Sequence, residues 1–367
     1  MFIDRLLDPF RGKAVTIPPM DGALKPNTAL DDAAALLTVE APDNLAVADG
    51  RLYFSSGSTL LTVPLTQPSS TPQMVAQFGC AVTALSATPD GGIAMGLDDG
   101  RILFKGGALD GRELKSVGPD RLVCPTALAM PHPGSILVTQ GSAPHRPGDW
   151  VVDLMGKGAS GSVWRIDLET GTETCLARGL AWPNGILVEP DHRMVISESW
   201  RHRLLRLSAD GRGQAGPVLS KLPGYPARLA PSPGGGAWLA LFAPRNRLIE
   251  FVLDENDYRT DMMRDIDREF WIAPSLSSSV SFLEPLQCGS VRTMGIRKPW
   301  APSRSYGLVV RLDEALQPVE SFHSRSNGNR HGVTSVVEAG GRVLVAAKGG
   351  HAILAIGATP GGGRAAL

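Results

Sequence analysis

The chain has 367 residues with 36 basic against 36 acidic side chains, so nothing in its charge favours nucleic acid or an anionic membrane surface. With 42 Gly, 29 Pro and 43% hydrophobic residues but few long helical patterns, it reads as one large, turn-rich all-β domain. Its four cysteines (Cys80, Cys124, Cys175, Cys288) stand apart, which argues against a disulfide framework or thiolate metal site and suits buried thiols in a reducing compartment.

The first segment, MFIDRLLDPFRGK, lacks the apolar core of a secretory leader, and no later stretch approaches the length of a membrane span. A cytoplasmic location without membrane partners is therefore expected. An apolar run, AALLTV (Ala34–Val39), comes next. From Asp43 onward one pattern recurs six times: a short apolar run, a turn rich in Gly or Asp, and a second apolar run. The copies begin at Asp43 (DNLAVADGRLYF), Thr83 (TALSATPDGGIAM), Thr126 (TALAMPHPGSILV), Asn184 (NGILVEPDHRMVI), Ala227 (ARLAPSPGGGAWLAL) and Thr334 (TSVVEAGGRVLVA).

These starts lie 40, 43, 58, 43 and 107 residues apart. A base period of about 40–45 residues with two insertions is the signature of a β-propeller whose blades each hold four antiparallel strands. Within each copy, alternating apolar residues make two strands, and Asp or Gly supplies the left-handed positions of the turn between them. Outer strands follow: LLTV and MVAQF, RILF and ELKSV, SVWRIDL and ETCLA, LLRLS, then YGLVVRLD and PVESFH. After the sixth copy only HAILAI remains, one strand short. The run at Ala34–Val39 fills that gap and closes the ring, removing an exposed sheet edge. The expected architecture is a single six-bladed β-propeller domain over residues 1–356, with 357–367 as a loose tail.

Both insertions fall between the second and third strands of their repeats. One is QGSAPHRPGDWVVDLMGKGASG (Gln140–Gly161); the other runs from about Phe242 to Ser305. Antiparallel return brings both to the face where the repeats begin, as lids over a channel mouth. In the longer one, Leu248, Phe251 and Val252 have the spacing of an amphipathic helix. Trp271, Phe282, Trp300 and Tyr306 suit either a pocket wall or a homodimer contact.

The repeat starts form one ring at that mouth: Asp43, Thr83, Thr126, Asn184, Ala227 and Thr334, followed in sequence by Asn44, Ala84, Ala127, Gly185, Arg228 and Ser335. Asp43 and Asn184, aided by Asn44, offer hard oxygen ligands for Ca²⁺ or another divalent cation, although Asp and Asn also begin strands because they favour turns. Glu198 closes the second strand of the fourth repeat and has the chemistry of a base. Trp182 and Tyr225 precede ring positions as a substrate wall, Lys348 closes the second strand of the sixth repeat, and Glu284 lies in the long insertion with Arg297 and Lys298. His145, Asp149 and Asp153 look like a triad, but no serine elbow accompanies them. No phosphate-binding loop, dinucleotide fingerprint, zinc-protease helix or calcium loop of the EF-hand kind is present.

The stretches WPNGILVEPDHRMVISESWRHRLLRL, GYPARLAPSPGGGAWLALF and HGVTSVVEAGGRVLVAA resemble the strictosidine synthase-like branch of the six-bladed propellers, related to the gluconolactonase and regucalcin-like proteins and the paraoxonases. The likeness runs from roughly Pro42 to Ile356. It implies a dication at the channel mouth in hydrolytic members, with ligand positions falling on Asp43, Thr126, Asn184 and Ala227. The last has no ligand atom, and Arg228 stands beside it. For the metal-free synthase the resemblance implies a proton shuttle at the position of His331, whose ordinary pKa of ~6.5 suits acid–base work. Thr126, Arg228 and Thr334 fall among the substrate contacts. Three readings stay open: a lactone or ester hydrolase using a divalent cation with His331 or Glu198 as base, a metal-free enzyme centred on His331, and a small-molecule-binding propeller.

Overall fold

The structure is a computed structural model that describes residues 17–211, 216–278 and 303–357, with the backbone of 292–293 and 296–297 in addition. Glu284, Phe282, Lys298, Trp300, Cys288, the first segment and the tail beyond residue 357 lie outside the described residues. So does the side chain of Arg297.

Six four-stranded antiparallel sheets follow one another along the chain. The innermost strands are Pro42–Ala48, Val82–Ala87, Pro125–His132, Pro183–Val188, Gly224–Pro231 and Val333–Ala339. Second strands are covered on both faces, so Ile93–Leu97, Met194–Glu198 and Ala237–Pro244 are buried throughout and read as near-continuous apolar runs. Outermost strands are more open, as in Gln73–Gln77 and Glu173–Leu180. The fourth strand of blade four, Gly216–Leu219, has too little apolar alternation to be distinguished in the sequence.

Blade six is completed by the N-terminal segment. Ala34–Thr38 pairs antiparallel with Ala352–Gly357, with Ala34 opposite Ala355 and Thr38 opposite Ala352. This is the closure expected from the missing strand. Leu30, fully buried, and Leu37 pin the segment down. Asn27 donates to the Ser321 carbonyl at 2.8 Å and Asp31 accepts from the Ser324 hydroxyl at 2.9 Å, which ties it to blade five as well.

A feature with no signature in the hydrophobic pattern recurs at every repeat start. In all six blades the register between the first and second strands slips there: after Asp43, Val82, Pro125, Pro183, Gly224 and Val333. A bulge of this kind lifts a residue out of the ladder and re-aims its side chain. Three of these residues lace the blades together: Asn44 donates to the Val82 carbonyl at 3.0 Å, Thr83 to that of Pro125 at 2.7 Å and Thr126 to that of Pro183. Ser199, just after the second strand of blade four, adds a bond to the Pro226 carbonyl at 2.6 Å.

The blade-three insertion carries a short helix, Trp150–Met155. The blade-five insertion carries two, Arg247–Asp254 and Asn256–Asp265, so this blade does hold a partly helical insertion. Asn246 caps the first by accepting from the Leu248 amide at 2.9 Å. Its buried face is Ile249 and Val252, while Leu248 is half-buried and Phe251 points outward at 50% exposure, so of the expected Leu248, Phe251 and Val252 stripe only Val252 faces inward and the face is rotated by about one position. The polar anchor explains the rotation. Glu250 is gripped by Arg245 at 2.7 Å and by His202 of blade four at 3.5 Å, which turns that side of the helix toward the propeller. No helix among the described residues is long and apolar enough to cross a membrane.

Candidate functional site

A cavity of about 190 Å³ opens where the repeat starts converge. The bulges deliver Asp43, Thr83, Thr126, Asn184, Arg228 and Thr334 to its floor, one from each blade. Pro147, Gly148 and Trp150 of the blade-three insertion, and Leu276 of the blade-five insertion, contribute to its rim.

The floor is organised around one carboxylate. Asp43 is 6% exposed, and Lys348 Nζ lies 2.9 Å from its Oδ2 while Arg228 Nη1 lies 3.5 Å from its Oδ1. Burial by itself pushes the Asp43 carboxyl up. The charges of Lys348 and Arg228, with the hydrogen bond from Lys348, more than reverse that and hold it at about 2. Asp43 also accepts from the Asn44 amide at 2.8 Å, which Asn44 permits by taking a left-handed backbone, φ 56°.

Arg228 reaches across the axis from blade five. Its Nη2 donates to the Thr83 carbonyl of blade two and, at 3.2 Å, to the Thr126 carbonyl of blade three. It also borders a smaller cavity of about 60 Å³ lined by Asn44, Ala127, Ile186 and Ser335, so the guanidinium stands between the mouth and the deeper channel.

The opposite wall is aromatic. Trp182 lines the cavity and stacks on Trp200 with ring centres 5.1 Å apart, and Trp150 meets Phe242 edge-on at 5.4 Å. Asp153, the one member of the triad-like set buried here, is a support: it accepts from the Trp200 indole at 2.8 Å and the Ser142 hydroxyl at 2.6 Å. Trp182 adopts φ 58°, a conformation costly for a bulky residue that the packed wall must hold in place.

The cavity thus brings together Asp43, Thr126, Trp182, Asn184, Arg228, Thr334 and Lys348 from the residues singled out in the sequence. Four others are placed elsewhere. His331 is buried, with Nδ1 bonded to the hydroxyls of Ser278 and Ser305 at 2.9 and 2.8 Å and Nε2 to the Arg325 carbonyl at 2.8 Å. Nδ1 ties the blade-five insertion to the start of blade six and Nε2 meets the loop that leads into it, and His331 is not among the residues that line the cavity. Glu198, fully buried, accepts from the Ala181 amide at 2.7 Å and from Arg201 and Arg203 at 2.5 Å each, which occupies it as an ion-pair hub. Tyr225 sits beneath the wall against His202 and Phe242, and burial pushes its phenol up. Asn44 spends its amide on Ser55 and Val82 and faces the deeper cavity, away from the mouth.

Asp98, Trp150, Phe242 and Leu276 line the cavity without having been singled out as site residues. Asp98 was findable: it directly follows the second strand of blade two, the topological place that drew attention to Lys348 in blade six. Its Oδ1 accepts from the Gly148 amide at 2.8 Å, fixing the blade-three insertion over the mouth.

The donor set does not suit a divalent cation. Asp43 is already neutralised by two cationic side chains, and Ala227 offers no side-chain ligand while its carbonyl accepts from Ser197 at 2.6 Å. No three His, Cys, Asp or Glu side chains converge to hold a metal among the described residues. A dication beside Asp43 would face Arg228 and Lys348 at short range in a poorly solvated site, where like charges repel by several kcal/mol, on the order of 4 per unit charge pair at ~4 Å.

No protein-family model matches the chain. A segment of 113 residues is 30% identical to adipocyte plasma membrane-associated protein of Danio rerio, covering 30% of this chain and 27% of that protein. The protein of the same name in Mus musculus is 26% identical over 127 residues, 33% of this chain and 31% of its own length. The chain therefore matches about a third or less of these relatives' length. A gluconolactonase structure from Xanthomonas campestris superposes with a TM-score of 0.57 at 14% identity, covering 90% of this chain and 91% of that one. The calcium-binding protein regucalcin from Agrobacterium tumefaciens gives 0.51 at 15% identity, covering 85% and 84%. The chain is a six-bladed β-propeller, the fold it shares with these gluconolactonase and regucalcin structures.

Proposed function

We propose that the channel mouth hydrolyses a small lactone or ester, with fixed cationic side chains in place of a metal ion. The observation that carries this reading is the Asp43–Lys348–Arg228 cluster on the floor of a cavity walled by Trp182, Trp150 and Phe242. An ammonium and an amide, on Lys348 and Asn184, supply donors for a carbonyl oxygen that becomes negative as water adds to its carbon. Asp98 takes a proton from that water. Collapse of the tetrahedral adduct breaks the acyl carbon–oxygen bond, and the leaving oxygen gains the proton. Asp43 holds the two cations in position; held at about 2, it is too weak a base to do more.

The aromatic wall supports a compact, partly apolar substrate, and the neighbouring lactonase structures share the scaffold alone. A panel of lactones and aryl esters followed by proton release tests the reading. Turnover should persist in chelator, and Lys348→Met should lower kcat by about 10²–10³-fold. Turnover abolished by chelator and restored by calcium would overturn it.

A second reading is favoured by the same saturated carboxylate: with both Asp43 oxygens engaged, the mouth is also suited to holding a polar ligand without chemistry. Tight binding of a lactone or its hydroxy acid, with no turnover across the panel, would select it.

A further inference from the structure

We infer that Arg228 is the built-in cation of the channel mouth, and that the oxygen atoms it gathers form a divalent-cation site that this side chain keeps closed, with Lys348 closing the other oxygen of Asp43. The inference is independent of whether the mouth turns over a substrate.

Thr83 and Thr126 are the residues skipped in the registers of blades two and three, so their carbonyls are released from the strand ladder at the axis of the ring. A buried carbonyl without a donor is costly, so a released carbonyl at the axis calls for one. The Arg228 guanidinium serves both, and its Nη1 faces Asp43 Oδ1 at 3.5 Å. One planar group with five donors thus satisfies oxygens from three blades.

Taken without the guanidinium, that set is one carboxylate and two backbone carbonyls. The Asn184 amide lines the same cavity. These are hard oxygen donors of the kind calcium and manganese take, with water completing the shell. Residue 228 is supplied by the blade whose repeat-start position, Ala227, has no oxygen in its side chain.

The test uses the full chain and its Arg228→Ala and Arg228→Ser variants, titrated with Mn²⁺ by electron paramagnetic resonance and with Ca²⁺ by calorimetry. The native chain should take up no stoichiometric dication. Each variant, combined with Lys348→Met, should bind one, at least about a hundredfold more tightly than the native chain. Adding Asp43→Asn to the variant should abolish that binding. Guanidinium at low millimolar concentration should raise the Tm of Arg228→Ala and leave the native Tm unchanged. Arg228→Lys, which keeps the charge, should remain indifferent to both. One tightly held Mn²⁺ on the native chain overturns the inference, and that measurement needs no variant to fold. So does a folded pair of Ala and Ser variants that respond to neither ion.

Discussion

Asp43 is the residue on which the floor of the mouth depends, and its chemistry has a pH signature. Its carboxyl is held at about 2, against an ordinary 3.8, so it binds a proton more readily in the unfolded chain than in the folded one. The stability it contributes is complete above pH ~4 and is lost as pH falls through about 2, an effect of roughly 2 kcal/mol. Asp43→Asn should remove this dependence. At neutral pH it should cost about 2–3 kcal/mol, because Arg228 and Lys348 are then left facing each other; the figure sits below that for a fully buried pair since Lys348 is a third exposed. Urea melts of both proteins at pH 7, 4 and 2.5 measure both effects. A parallel pH dependence in the two proteins would mean that the titration belongs elsewhere. Much of this floor was legible in the sequence, because Asp43, Asn184, Arg228, Thr334 and Lys348 occupy repeat starts or strand ends that periodicity alone brings together. His331 and Glu198 show where such reasoning stops. Position in a repeat locates a residue to a blade end, but whether its polar atoms are free depends on partners such as Ser278, Ser305, Arg201 and Arg203, which no pattern encodes.

Among the elements, the first helix of the blade-five insertion is held by a buried polar latch. Glu250 bonds to Arg245 and His202, and although burial pushes its carboxyl up, hydrogen bonds from His202 and Arg245 hold it at about 2. Glu250→Ala should cost about 2–4 kcal/mol, the range for leaving a largely buried cation without its partner. Because Trp200, His202 and Tyr225 pack as one cluster against Phe242 of the cavity wall, it should also weaken ligand binding at the mouth without touching the ligand. Denaturant melts together with tryptophan fluorescence of the variant check this; a stable variant with unchanged emission would detach the latch from the wall. The helix itself was expected from Leu248, Phe251 and Val252, but its rotation was not. Hydrophobic spacing selects a face only when no stronger contact competes, and here the Glu250 ion pair competes. The bulges at the repeat starts escaped for a related reason. They are a property of strand register, and register is set by the neighbouring strand as much as by the residues that slip.

At the scale of the whole molecule, stability rests on closing a ring, and the clasp is the short pairing of Ala34–Thr38 with Ala352–Gly357. Each blade packs on two neighbours only, so opening one junction leaves two apolar blade faces and one unpaired strand edge exposed. Beginning the chain at Pro42 removes the clasp together with the buried Leu30 and Leu37 and the Asn27 and Asp31 bonds to blade five. The shortened protein should lose its single cooperative transition and associate through the freed edge. A milder version, Leu30→Ala, should cost about 2–5 kcal/mol while keeping the ring closed. A circular permutant separates the clasp from mere chain length. If the chain starts at Pro42 and residues 17–41 are appended after residue 357 through a flexible linker, the same strand returns to the same edge, and cooperativity should be recovered. Calorimetry and sizing by light scattering distinguish the outcomes. A shortened chain that melts like the native protein would mean that inter-blade packing suffices to hold the repeat starts around the axis. The mouth would then owe its geometry to the bulges and the carbonyl-to-hydroxyl lacing between blades and not to closure.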